Sequence, residues 1–149
     1  MSPQPASGRE AAARGHASTL QSEQLLQIAR TCEAAGFGQQ GACIINACAL
    51  IKSSIRPLFS APWDEMLSRA QNYAMAGAHE SAVIALIPTA ATFTGGRLGD
   101  GSIIAQVVLT EEASAHSREA RWLAMAWLAA LLRAMARLVG SDGDKAWRS

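Results

Sequence analysis

The stretch that most constrains this chain lies near its C-terminal end, where Trp122 to Leu132 runs as eleven uninterrupted apolar residues. The surrounding segment, Glu111 to Val139, reads as one helix with no fully polar face. At 100° per residue, one stripe carries Ala120, Ala124, Trp127, Leu131, Ala134 and Leu138, the ordinary core-facing side of an amphipathic helix. A second stripe, roughly opposite, carries Trp122, Met125, Ala129, Leu132, Ala136 and Val139 at alternating spacings of three and four, the seam one helix offers another. Arg118, Arg121, Arg133 and Arg137 flank it. A helix apolar on both sides needs cover on both sides.

Eleven apolar residues cover only about half of a bilayer's hydrocarbon thickness, and arginine follows at once, so no membrane span is expected. A helix of about 29 residues is about 44 Å long. A compact chain of this size is only about 38 Å across. Something must cover the overhang, and the reading favoured by length is a second copy. Trp122, Met125, Ala129, Leu132 and Val139 are then the anchors of a homodimer, with Arg121 and Arg133 at its rim.

The rest of the chain sets the class. Its 149 residues suffice for one domain with a real core, yet 31 of them are alanine, which favours closely spaced helices with few large anchors. Net charge is +1, too little for the basic field of a strong nucleic-acid binder. Residues 1–17 read as a disordered polar leader without a signal sequence, 18–140 as a single domain, and 141–149 as a polar tail. An odd set of cysteines, Cys32, Cys43 and Cys48, on apolar helix faces implies reduced, buried thiols and a cytoplasmic protein.

The expected fold is α+β and mostly helical: three N-terminal helices, a β-hairpin and one long C-terminal helix. Ser18 with Gln21 makes a capping-box start for the first helix, which stops at Gly36. The second runs from Gln40 to Ser53, with Asn46 its one polar interruption. The third follows Ser60 and Pro62, opens on Asp64 and Glu65 and ends by Gly77. From Ser81 the pattern turns extended. Gly95 to Gly101 reads as a glycine-rich loop, after which Ile103, Ala105, Val107 and Leu109 alternate with Ser102, Ile104, Gln106 and Val108. Thr110 then caps the long helix.

No local motif carries chemistry. Gly36-Phe37-Gly38-Gln39-Gln40-Gly41 matches the letters of a dinucleotide-binding loop, but a helix precedes it where that mechanism needs a strand. The thiols on apolar faces and the scattered His16, His79 and His116 suggest no metal site, and the pairs His79–Glu80 and Glu112–His116 come with no nucleophile. No cofactor is expected. The chain therefore reads as a small regulatory or adaptor-type binding protein acting on a protein partner, its own copy first, with an enzyme or small-ligand pocket between the hairpin and the helices as a third class that would leave no local motif.

The competing reading is a winged-helix transcription regulator. Arg97 to Glu112, ending Val108-Leu109-Thr110-Glu111-Glu112, resembles the wing and following helix start of MarR-type regulators over some sixteen residues. That resemblance implies Arg97 as a wing-tip phosphate contact and Ser68, Arg69, Gln71 and Asn72 as base readers. The long Ile55–Ala61 connection and the acids beside Arg69 depart from it.

Overall fold

The computed structural model describes the backbone of residues 8–148 and the side chains of 17–141. Within the described residues, five helices and a three-stranded antiparallel sheet follow in the order α1 (Gly8–Ala34), α2 (Gln40–Ser54), α3 (Trp63–Met75), α4 (His79–Leu86), β1 (Thr92–Arg97), β2 (Ile103–Thr110), β3 (Ala113–Ser117) and α5 (Leu123–Arg148), with a 3-10 turn, Phe37–Gln39, between α1 and α2. The class is α+β and mostly helical, with the long helix last.

α5 is the centre. α1 packs along it more extensively than any other element does, β2 and β3 cover a second side, and α4 and α2 close over a third. Apolar residues that would be redundant on a surface helix are each used here: Met125, Leu128, Leu131, Leu132 and Met135 point in different directions and are all fully buried. Alanines between them let the neighbours come close. The stretch Leu123–Ser141 has the length and composition of a membrane span, which the eleven-residue apolar run did not suggest, but most of it is buried inside the chain. It is a core helix.

The overhang is covered from within. α1 begins at Gly8, ten residues before the expected cap at Ser18, so two helices of 27 and 26 residues lie against each other. Residues 8–17 of the expected leader are helical, residues 1–7 lie outside the described part, and the expected tail continues α5 to Arg148. Leu25, Ala29 and Cys32 are the buried stripe of α1.

Two elements depart from the sequence reading. α4 replaces an expected extended segment: Ala82, Val83 and Leu86 are buried at helical spacing, and the chain becomes extended only at Ile87, before Pro88. β3 replaces the first turns of the expected long helix. Thr110 Oγ1 does accept a hydrogen bond from the backbone three residues on, Ala113 N at 3.1 Å, but it closes the turn Glu111-Glu112 between two paired strands. In β3, Ala113, Ala115 and Ser117 face inward and Ser114 and His116 outward. This is a period of two written in residues that differ little in polarity.

The hairpin is as expected in kind, with a shorter loop. β1 and β2 pair from Thr92↔Val108 to Arg97↔Ile103, and Ile103, Ala105, Val107 and Leu109 are buried. Leu98 to Ser102 makes the turn, with Gly101 at φ +88° and Asp100 Oδ1 accepting from Ser102 N. Gly95 belongs to β1, under the ring of Trp127. A Cβ there would lie 2.5 Å from Trp127 Nε1.

Candidate functional site

Among the described residues, the charged side chain that is buried belongs to an ion pair. Glu33, in the last turn of α1, meets Arg133 at the middle of α5, where Nη1 donates to Glu33 Oε2 at 2.6 Å and Nη2 donates to Oε1. Ser117, the last residue of β3, donates to the same Oε2 at 2.6 Å. The two charged side chains keep only 8% and 26% of their exposure. Burial by itself pushes the Glu33 carboxyl up, but the hydrogen bonds of Arg133 and Ser117, with the positive charges of Arg133 and Arg30, outweigh it and hold the carboxyl below the ordinary range. The Glu33 hydrogen bond likewise raises Arg133. Three elements are thus pinned at one point.

This pair is the floor of a groove of about 530 Å³ between α1, β3 and α5. Ser22 and Leu26 form the α1 wall, where Ser22 Oγ donates to Ala136 O at 3.2 Å. The other side is the free edge of β3, which is the outer strand in the order β1-β2-β3. Arg133 Nη1 also donates to His116 O at 3.2 Å. Antiparallel strands send alternate backbone groups toward and away from the partner. The guanidinium on His116 O marks that residue as one whose peptide groups face away from β2, and Ser114 and Arg118 share its phase.

Arg118, just beyond β3, and Arg137, one turn past Arg133, stand exposed along the groove. Among the described residues neither makes an ion pair or hydrogen bond. Chemically the groove offers the outer edge of β3, with His116 O already accepting from Arg133, and two arginines, Arg118 and Arg137, that share the lining with the exposed Glu119. Ser117 is no nucleophile, since it is buried and its proton is given to Glu33.

The stripe expected to dimerise lies elsewhere. Met125, Ala129, Leu132 and Val139 are all 0% exposed within one chain. α1 and the sheet take the place assigned to a second copy, so these side chains present no surface to a partner. Trp122 precedes α5, is 37% exposed and packs edge-on against Phe37 at 5.2 Å. Arg121 is exposed, while Arg133 is bound to Glu33 and is no rim residue.

The base-reading candidates Ser68, Arg69, Gln71 and Asn72 are exposed on α3, where Arg69 pairs with Glu65 at 3.2 Å. Arg97 is exposed at the end of β1. The hairpin leads into a third strand, so the helix start implied by the winged-helix resemblance is absent at Thr110. No group of three or more His, Cys, Asp or Glu suited to a metal ion occurs among the described residues.

Glu33 was missed as a site residue in the sequence, although one signal was there. It is an acid beside a core cysteine, and Arg133 interrupts the apolar run of the last helix. Charges set into apolar stripes need each other. Comparison of the chain with protein-family models, with curated proteins and with solved structures finds no match to any of them.

Proposed function

We propose that this chain is a small protein-binding module that takes an extended, acidic segment of its partner into the groove along β3. The observation that carries this reading is the outer edge of β3 beside Arg118 and Arg137, two arginines that have no partner among the described residues and outnumber the one exposed acid of the groove, Glu119. An edge strand offers a row of peptide N–H and C=O groups that a second strand can complete, and such addition gives affinity through the backbone. Specificity then comes from side chains. Carboxylates on the added strand meet Arg118 and Arg137, while Glu33 and Arg133 fix the height of the strand edge relative to the helices.

The reading keeps an adaptor-type role and moves the contact surface from α5 to β3. Its test is titration of the protein with a labelled peptide of alternating valine and glutamate, its lysine counterpart, and a version with proline at alternate positions. The acidic peptide is expected to bind. Arg118→Ala and Arg137→Ala should each weaken it several-fold, in line with about 0.2–1 kcal/mol for an exposed ion pair. The proline version should not bind, because it lacks the N–H groups that pair with the edge. Equal binding of the lysine peptide, or full binding of the proline version, overturns the proposal. Self-association abolished by prolines placed in β3 would replace the acidic partner with a second copy.

A further inference from the structure

The face of the sheet turned away from α5 carries a hollow of about 450 Å³. Thr94 pairs with Gln106 and Gln106 with His116, so these three exposed side chains form one row across the strands, while Ala105, Val107 and Ala115 beside them are buried. In the next row Gly96 lies opposite Ile104, and Arg118 follows directly on the last pair of β2 and β3, Ala105↔Ser117. Arg97 ends β1. The two arginines therefore leave the backbone on either side of β2, about 10 Å or two strand spacings apart, and both line the hollow. The space exists because Gly96 brings no side chain to this face: a Cβ there would meet nothing within 4 Å. No carboxylate among the described residues lines it, and Glu119 lines the groove along β3 instead. The fold takes only backbone oxygens from this set, Thr94 O for Trp127 and His116 O for Arg133. Among the described residues the side chains of Thr94, Arg97, Gln106, His116 and Arg118 have no partner.

We propose that this hollow is a binding site for a small phosphate monoester with a hydroxyl-bearing body, a sugar phosphate by class. A phosphate set between Arg97 and Arg118 meets two guanidinium forks whose N–H pairs match its oxygens, and its double charge calls for two cations where a single carboxylate would leave one idle. The row Thr94, Gln106 and His116 lies two residues along the strands, about 7 Å away. It offers a hydroxyl, an amide and an imidazole, groups that both donate to and accept from sugar hydroxyls. Ile104, exposed between the two arginines, gives the carbon skeleton an apolar contact. A volume of about 450 Å³ suits a small molecule. Two arginines are too few for a nucleic acid, which is held through many phosphates. Arg118 stands where the hollow and the groove along β3 meet and lines both, whereas Gly96 and Arg97 belong to the hollow and Arg137 to the groove.

The test titrates the full, isotope-labelled chain with glucose 6-phosphate at low ionic strength and follows its backbone amide resonances, with glucose, inorganic phosphate and a mixed-sequence single-stranded RNA as the other arms. Glucose 6-phosphate should give saturable shifts centred on residues 94–97, 104–106 and 116–118. Inorganic phosphate should bind more weakly at the same place, glucose not at all. Arg97→Ala and Arg118→Ala should each weaken binding several-fold. Gly96→Val, a β-branched side chain that suits a strand and fills the hollow, should abolish it while the protein melts as before. If that variant folds poorly, the exposed Arg97→Ala decides. Arg137→Ala should bind the sugar phosphate normally and Gly96→Val the acidic peptide normally, so failure of one site is distinguishable from failure of the other. Absence of saturable shifts, equal affinity for inorganic phosphate, full binding by Arg97→Ala, or preference for the RNA would each overturn the proposal.

Discussion

Glu33 remains charged inside the fold because Arg133 and Ser117 meet it there, and this ties stability to pH in a defined direction. Its folded-state pKa is lowered, against about 4.3 for a free glutamate. The stabilisation is therefore complete above about pH 5 and is lost as pH falls through the lowered value. Urea unfolding between neutral and acidic pH should show this loss in the native chain and a flatter profile in Glu33→Gln. Glu33→Ala leaves Arg133 without its partner and should cost about 2–3 kcal/mol at neutral pH, below the range for fully buried pairs because Arg133 still reaches water. Gly95 is a second residue whose identity is set by its neighbour rather than by its backbone. With Trp127 Nε1 at 2.5 Å, Ile104 O at 3.1 Å and Leu123 Cδ1 at 3.2 Å from the position of an added Cβ, Gly95→Ala should destabilise by about 1–3 kcal/mol through overpacking. Gly96→Ala, with open space around it, is the matched control in the same thermal melts.

At the scale of elements, α5 answers to burial on all sides. Met125→Ala and Leu132→Ala should each lower stability by about 2–5 kcal/mol, as much as Leu131→Ala, because all three leave cavities in one core. A seam for a second copy would instead give a monomer that melts like the native chain, so calorimetry beside sedimentation separates the two. The periodicity of this helix was legible, and so were α2, α3, the hairpin and the inward phase of β2. β3 was not. Ala113-Ser114-Ala115-His116-Ser117 has helix-favouring alanines and no bulky alternation, and it is a strand because small inward residues let the sheet approach α5. α4 was hidden by β-branched residues that fit a strand locally but bury Ala82, Val83 and Leu86 on one helical face. Asn46, the polar break in α2, proves to face solvent and needs no buried partner.

For the whole molecule, the excess of apolar helix surface was a correct signal with the wrong owner. A sequence shows that a helix needs two covers but not that the chain supplies both. Here α1 reaches back to Gly8 to supply one of them. The groove was illegible for a related reason, since residues 22, 33, 118, 133 and 137 meet only through tertiary contact. The arrangement also has a temporal side. The helix on which the other layers rest is the last element in the chain's order, so a ribosome must release α5 before α1, the sheet and α2 to α4 share a core. Until then each exposes the face it will later bury, and β1 and β3, the two outer strands, present unpaired edges in that interval. Folding that waits on contacts between the first and last helices is slowed by distant loop closure, and the nascent chain depends longest on whatever shields apolar helices from one another.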